Sequence, residues 1–212
     1  MITLYTWTTP NGRKISIALE EMGLPYEVKA VNIAVGEQFK PEFLAVSPNN
    51  KIPAIIDHGA AGGPLSIFES GAILLYLAER SGMLLPADAA GRARVLEWLF
   101  WQVGGPGPMF GQLNYFAVRA PEKLPAAITR FQDEAVRLLG VMEKRLETAP
   151  YLGGESYSIA DIATYPWVNA AIGLIRKTAG DALKPTPAID RWLAELAARP
   201  AVQRGMAVPV VG

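Results

Sequence analysis

The hydrophobic pattern of the chain changes near residue 85, and this change restricts the folds that the chain can adopt. Before that point, short β-branched and aromatic runs alternate with segments of helical periodicity, and Gly, Pro and Asn separate them. After it, long segments rich in Ala, Leu, Arg and Glu predict helices without a convincing strand. The sequence therefore predicts a small mixed α/β domain, a linker at residues 85–88, and an all-helical domain.

The first part of the chain predicts a β-α-β unit followed by a β-β-α unit. The predicted elements, in order, are a strand at 2–7, a helix at 15–22, a strand ending near 33, a hairpin of strands at 52–56 and 65–68, and a helix over 72–77. The turn Thr8 to Gly12 separates the first strand from the first helix. This order is typical of a small mixed sheet covered by helices.

The second part predicts helices near 89–103, 125–148, 159–175 and 188–198. The Gly- and Pro-rich segment 104–111 is expected to break the helix before it, which would free nearby apolar side chains to line a cleft: Met109, Phe110, Tyr115 and Phe116. Ser158 and Asp161 have the spacing of a capping box, so we interpret them as structural residues.

The composition excludes several classes of function. The chain contains no Cys, which excludes a disulfide framework, a thiolate metal site and protein-thiol redox chemistry. Its single His, His58, excludes a zinc site built from several imidazoles, so no metal is expected. Twenty basic residues balance twenty acidic ones, which argues against a nucleic-acid partner. The apolar runs are too short to span a membrane, and we expect a cytoplasmic protein.

Four separated motifs connect the chain to a known family. They occur in order at Thr9 to Gly12, Ser47 to Ile55, Phe68 to Leu77, and Trp98 to Gln102. Together with the α/β half and the helical half, they resemble the glutathione transferase superfamily, and more narrowly its bacterial nu class. The resemblance implies a thioredoxin-like glutathione-binding domain at 1–84, an all-α domain at 89–212 that forms the cleft for the second substrate, and a homodimer.

Thr9 and Asn11 lie where the first predicted strand turns into a helix. Taken alone, Asn11 is interpreted as a helix N-cap. The resemblance adds that the sulfur of glutathione lies beside Thr9 and Asn11, which makes them the candidate catalytic residues. The two interpretations share one geometry, because a helix N-terminus favours a nearby anion and so lowers the pKa of a bound thiol.

The remaining candidate residues are assigned to glutathione by resemblance. The resemblance implies that the bond before Pro53 is cis and that the Ile52 backbone pairs with the cysteinyl part; the alternative is an ordinary edge proline. Glu69 would bind the γ-glutamyl ammonium and Ser70 its α-carboxylate, or the two residues would serve only as a favourable charge and a cap.

Three further assignments rest on the same resemblance. Gln38 and Lys51 would contact the glycyl end of glutathione, although each taken alone is interpreted as a solvated polar residue. Arg130 would reach glutathione held by the other subunit, and its alternative is a surface arginine on an amphipathic helix. The bound partners implied are glutathione as co-substrate and a small-molecule disulfide, hydroperoxide or electrophile.

The main functional hypothesis is a glutathione-dependent disulfide-bond reductase. Because the chain has no Cys, both thiolates must come from glutathione, as two bound molecules or one oxidised glutathione. The alternative enzyme is a glutathione S-transferase or peroxidase that uses the same thiolate on apolar electrophiles or organic hydroperoxides. A third alternative is a non-catalytic member that keeps the fold for binding or protein interaction.

Overall fold

A computed structural model describes residues 1–210, and these residues form two compact units. The first unit comprises Met1–Leu85 together with the chain from Ala197 onward, and the second comprises Pro86–Leu196. The strands are β1 Ile2–Thr6, β2 Tyr26–Ala30, β3 Ala54–Asp57 and β4 Leu65–Phe68. The helices are α1 Pro10–Glu21, α2 Pro41–Leu44, α3 Ser70–Ser81, α4 Ala89–Gly104, α5 Pro106–Asn114, α6 Pro125–Thr148, α7 Ile159–Ala179, α8 Pro187–Ala197 and α9 Pro200–Met206.

The four strands of the first unit form one mixed sheet in the order β2-β1-β3-β4. β1 and β2 are parallel and are connected through α1, whereas β3 pairs antiparallel with both β1 and β4. In register, Leu4 of β1 lies opposite Val28 and Ile55. The predicted β-α-β unit and hairpin are therefore confirmed, and the third strand begins directly after Pro53.

Helices α1 and α3 pack on the sheet and on each other because each presents an apolar face. The side chains of this layer that are fully buried include Ile15, Leu19, Ile73 and Leu77. A second apolar cluster lies around Phe43, which follows β2 and packs with the partly buried Tyr5 and Ile52. The sheet thus lies between two apolar clusters.

The end of the chain packs on the first unit, whereas the sequence-based boundary assigned residues 89–212 to the helical domain. Helix α9 lies against α1, and Ser16 Oγ donates a hydrogen bond of 2.7 Å to the carbonyl oxygen of Gly205. A Cβ atom at Gly205 would lie 2.5 Å from the Cα of Ile17, so only glycine permits this approach. Val211 and Gly212 lie outside the described residues.

The second unit is built from α4 to α8. The predicted interruption after α4 is found at Gly105, which has φ −116° and ψ −88°. However, the chain returns to helix at once in α5, because Pro106 suits a first helical position. Phe110 is consequently buried, at 2% exposure, and its prediction as a cleft residue is wrong. Tyr115 is exposed, and Met109 and Phe116 are partly exposed.

The capping box at the start of α7 is confirmed. The carboxylate of Asp161 accepts hydrogen bonds from the backbone and hydroxyl of Ser158, from the amide of Leu152, and from the indole of Trp192, over 2.9 to 3.1 Å. Asp161 is fully buried, so these donors replace the water that a carboxylate would otherwise require. Both residues therefore have a structural role in the second unit.

Candidate active site

The turn between β1 and α1 positions Thr9 and Asn11 at a helix N-terminus. Thr9 is the N-cap of α1, and its Oγ1 accepts a hydrogen bond of 3.2 Å from the amide of Gly12. Asn11 stands in the first turn and is partly exposed. A Cβ atom at Gly12 would overlap Thr6 Oγ1 and the carbonyl oxygen of Trp7. The capping role predicted for Asn11 therefore belongs to Thr9, and glycine allows the helix to start close to the strand.

The segment before β3 brings Lys51, Ile52 and Pro53 to the same region. The Ile52–Pro53 peptide bond is cis, in agreement with the resemblance. Ser47 Oγ donates a hydrogen bond of 2.8 Å to the carbonyl oxygen of Lys51 and holds the loop in place. The proline is buried while the lysine side chain is exposed. The backbone of Ile52 therefore lies at the start of the strand with a charged side chain beside it.

Glu69 and Ser70 lie where β4 joins α3. Glu69 has a φ of 70°, which is unusual for a residue with a side chain and occurs often at functional sites. Its Oε1 accepts a hydrogen bond of 3.2 Å from Asn49 Nδ2. Ser70 is the first residue of α3 and is 8% exposed. The carboxylate of Glu69 and the amino end of α3 are thereby held side by side.

One pocket of the first unit brings together most of these residues. It is lined by Asn11, Lys51, Ile52, Pro53, Glu69 and Ser70. Its volume is about 70 Å³, which suits one polar end of a ligand. Two helices, α1 and α3, begin at its wall, so their partial positive charges favour an anion there. The Glu69 carboxylate beside them suits a cation, and the pocket can therefore hold a zwitterion.

A buried lysine lies next to this pocket and was not among the residues singled out from the sequence. Lys14 of α1 is 2% exposed, and its Nζ donates a hydrogen bond of 3.3 Å to Ser70 Oγ. Burial lowers the pKa of Lys14 from the ordinary value of 10.5 to about 7, and the negative charge of Glu69 opposes part of that shift. The sequence carries little signal for it, because Lys14 follows Arg13 directly before the apolar residues that begin at Ile15.

The other predicted residues do not line the pocket. Thr9 is the cap next to it, as described above. Gln38 stands in a short turn of 3₁₀ helix at Glu37–Phe39, and its Oε1 is buried without a hydrogen-bond partner among the described residues. Arg130 is an exposed residue of α6 in the second unit. His58 is exposed, and its Nε2 lies 2.8 Å from Thr3 Oγ1.

Neither a metal centre nor a membrane-spanning helix is found in the part of the chain that the structure describes. Within residues 1–210 we find no group of three or more His, Cys, Asp or Glu side chains that could hold a metal ion. In the same part of the chain, no helix combines the length and the apolar character that crossing a bilayer requires.

Family models and known proteins match the chain over most of its length. The model for the N-terminal domain of glutathione S-transferase matches residues 1–79, and the model for the C-terminal domain matches residues 108–200. The disulfide-bond oxidoreductase YfcG of Escherichia coli (strain K12) is 53% identical over 208 residues, which cover 97% of this chain and 94% of YfcG.

Two solved structures extend this similarity to the fold. A glutathione transferase from Burkholderia graminis, with two glutathione molecules bound per subunit, has a TM-score of 0.93 and 50% identity and covers 100% of this chain and 89% of its own. A glutathione transferase from Pseudomonas putida, with one glutathione disulfide bound per subunit, has a TM-score of 0.92 and 45% identity, over 98% of this chain and 91% of its own. The chain belongs to the glutathione S-transferase family.

Proposed function

We propose that the protein is a glutathione-dependent disulfide-bond reductase that holds glutathione in the pocket of the first unit. The observation that carries this proposal is the pocket itself, in which a carboxylate, two helix N-termini and the backbone before a cis proline lie together. The disulfide-bond oxidoreductase YfcG, 53% identical, supports the choice of reaction. The two similar structures contain two glutathione molecules or one glutathione disulfide per subunit, which supports the choice of ligand.

Each part of glutathione has a proposed partner in this arrangement. The γ-glutamyl group is a zwitterion, so its ammonium pairs with Glu69 and its α-carboxylate with Ser70 at the start of α3. The cysteinyl backbone pairs with the backbone of Ile52 in the manner of an added strand, which the cis bond to Pro53 leaves open. The glycyl carboxylate is bound by Lys51 and Gln38.

The sulfur is placed at the start of α1, beside Thr9 and Asn11. Thr9 Oγ1 accepts from the amide of Gly12, and the hydroxyl still has its own proton to donate to a thiolate. Asn11 supplies amide donors in the first turn of the same helix. The helix N-terminus and these donors stabilise the thiolate form and so lower the pKa of the bound thiol.

The reaction then needs no sulfur from the protein. The thiolate of the first glutathione attacks one sulfur of the substrate disulfide, a mixed disulfide forms, and the other substrate sulfur leaves as a thiolate that takes up a proton. The thiolate of a second glutathione attacks the glutathione sulfur of this mixed disulfide and releases the remaining substrate thiol. The substrate is reduced by two electrons, and two glutathione molecules are oxidised to one glutathione disulfide.

We propose the cytoplasm as the location of this enzyme, because the reaction consumes reduced glutathione and needs a reducing compartment.

We also propose a homodimer in which Arg130 reaches the glutathione of the partner subunit. The exposed position of Arg130 on α6 is consistent with this role. The helical domain binds the disulfide acceptor through exposed and partly exposed aromatic side chains. Phe116 stacks on Phe131 with ring centroids 5.6 Å apart, and Tyr115 contacts Phe116 edge-on.

The test compares three reactions of the same preparation. Reduction of a small dialkyl disulfide by glutathione is followed through NADPH and glutathione reductase, beside conjugation of a chloronitrobenzene and reduction of an organic hydroperoxide. We expect disulfide reduction well above the uncatalysed rate and weak activity in the other two reactions. The reverse pattern would favour the transferase or peroxidase, and failure to bind glutathione at millimolar concentration would favour a non-catalytic protein.

The catalytic assignment has its own test. Asn11→Ala should lower kcat about tenfold or more while the KM for glutathione changes less than about threefold, because the thiolate is stabilised more than the bound thiol.

The dimer is tested separately. Light scattering should give the mass of a dimer, and Arg130→Ala should weaken glutathione binding while the protein remains a dimer. An unchanged kcat in Asn11→Ala, or a fully active monomer, would contradict these assignments.

A further inference from the structure

Lys14 is a buried lysine that the reaction described above does not use. It lies on α1 with 2% exposure, and its Nζ contacts the hydroxyl of Ser70, which lines the pocket. Ser70 in turn is the residue proposed to bind the α-carboxylate of glutathione. Lys14 therefore stands behind the ligand-binding hydroxyl, on the side of the protein interior.

Several elements with ionisable side chains surround Lys14, and the charge that acts on it is negative. Glu69, at the start of α3, is the ionisable group whose charge acts on Lys14, and on α1 itself the neighbouring residue is the partly exposed Arg13. The ionisable side chain of β1 is Tyr5. At the opposite end of α1, Arg199, directly before α9, pairs with Glu21, and Arg204 of α9 pairs with Glu20. On α3, Arg80 is paired with Asp57.

We propose that Lys14 is a positioning residue that takes up a proton from solvent when glutathione binds, and that in its charged form it holds Ser70 Oγ as an acceptor so that the Ser70 hydroxyl donates to the α-carboxylate. This inference rests on the proposed function, since it requires a carboxylate at Ser70. The order of hydrogen bonds is then Nζ to Oγ and Oγ to carboxylate. The only covalent change is the new N–H bond at Lys14 Nζ.

Electrostatics gives the direction of the effect. Burial holds the pKa of Lys14 near 7 in the free protein, so about half of the molecules have an uncharged Lys14 at neutral pH. A carboxylate placed on Ser70 favours the ammonium form and raises this pKa. The ligand ammonium, which faces Glu69 in the proposed arrangement, cancels part of the effect. Binding should therefore take up protons and weaken as the pH rises above 7.

The experiment is isothermal titration calorimetry with S-methylglutathione, whose blocked sulfur cannot release a proton of its own. Titrations at pH 7 and pH 8 in phosphate, HEPES and Tris, which differ in ionisation heat, give the number of protons exchanged. We expect an uptake of up to about half a proton per site at pH 7, and a larger uptake at pH 8 if the ligand raises the pKa of Lys14 above about 8. Affinity should fall between these pH values, by at most about tenfold.

Two variants assign the proton to Lys14. Lys14→Met removes the charge but keeps a similar unbranched length, and it should abolish the uptake. Lys29→Met is the matched control, because Lys29 is an exposed lysine of the same unit, and it should leave the uptake unchanged. If Lys14→Met does not fold, NMR of the wild type with ¹³C-labelled lysine measures the Lys14 titration directly, and its midpoint should move upward when S-methylglutathione is added.

The outcomes separate this inference from the function on which it rests. If S-methylglutathione does not bind, the proposed function is wrong and the inference falls with it. If it binds without proton uptake, or with equal uptake in Lys14→Met, the inference is wrong while the glutathione site stands. An unmoved NMR midpoint for Lys14 would overturn the inference in the same way.

Discussion

The amide of Gly12 donates a hydrogen bond of 3.2 Å to Oγ1 of Thr9, so the hydroxyl assigned to the glutathione sulfur also caps α1. With this proposed assignment, catalysis and local folding would depend on the same side chain. A cap bonds a backbone amide that would otherwise lack a partner, and it fixes where the helix begins. The start of the helix would then determine the position of the proposed thiolate site, and the variants of Thr9 should have distinguishable effects.

Thr9→Ala should lose both roles, whereas Thr9→Ser should keep both. We expect Thr9→Ala to lower the free energy of unfolding by about 1 kcal/mol, the usual cost of losing a hydroxyl cap, and to reduce kcat for disulfide reduction. Urea unfolding and steady-state kinetics measure the two effects. Thr9→Asn is the informative control because it can cap but places no hydroxyl at the sulfur. Wild-type turnover in that variant would argue against a catalytic hydroxyl.

Gly12→Ala should displace the start of α1. Its Cβ would overlap Thr6 Oγ1 and the Trp7 carbonyl oxygen, and the backbone atom cannot move aside cheaply. We expect a loss of about 1 to 3 kcal/mol in the free energy of unfolding, together with weaker glutathione binding. Gly140→Ala on α6 is the matched control, since no atom lies within 4 Å of its added Cβ. It should stabilise the protein by up to about 1 kcal/mol. Equal effects of the two substitutions would show that the close approach at Gly12 is unimportant.

Glu69→Gln should weaken glutathione binding by removing the charge that we propose to pair with the ligand ammonium. A hydrogen bond between charged groups contributes about 1.5 to 3 kcal/mol, so we expect a Kd about 10- to 100-fold higher. An analogue of glutathione that lacks the amino group should bind wild type and Glu69→Gln with similar affinity. Calorimetry with both ligands measures the difference. A large loss for the analogue as well would mean that the substitution disturbs the strained backbone rather than an ion pair.

Lys14 should make stability depend on pH in a defined direction. Its pKa is about 7 in the folded protein and 10.5 when unperturbed, so between these values the unfolded chain binds a proton that the folded chain does not. The cost of burying the charge is therefore fully present below pH 7 and is relieved as the pH rises towards 10. Relative to Lys14→Met, wild type should gain up to about 1.4 kcal/mol of unfolding free energy per pH unit in this range.

Urea unfolding of both proteins at pH 6, 7, 8 and 9 checks this dependence. The advantage of Lys14→Met should be greatest at pH 6 and should shrink at each step above pH 7. Lys29→Met, which removes an exposed lysine, should show no comparable slope against wild type. A constant difference between wild type and Lys14→Met would mean that Lys14 titrates near its ordinary pKa.

Most of the fold could be predicted because it follows from local patterns. Alternating apolar residues and turn residues indicated the β-α-β unit and the hairpin, and the spacing of Ser158 and Asp161 indicated the capping box. The prediction for Phe110 was wrong because Gly105 and Pro106 were interpreted as ending helical structure. In the structure they only separate two helices, since proline at a first helical position is favourable.

The placement of α9 could not be predicted by the same means. Helix α9 has only seven residues, and their pattern does not indicate which element the helix packs against. It can lie against Ile17 of α1 because Gly205 has no side chain. The contact joins residues almost the full chain length apart. A boundary drawn from changes in composition therefore assigned the end of the chain to the helical part.

The sequence by itself determined the chemistry that is available: a chain without cysteine, a polar turn before the first helix, a proline before the third strand, and Glu69-Ser70 before another helix. Only the tertiary structure decided which of these groups meet, because Asn11, Ile52 and Ser70 lie far apart along the chain and share one pocket. The same is true of Lys14, whose burial and contact with Ser70 exist only once α1 packs on α3. Its altered pKa is a property of that burial, since desolvation acts on a charge only where the fold has removed water.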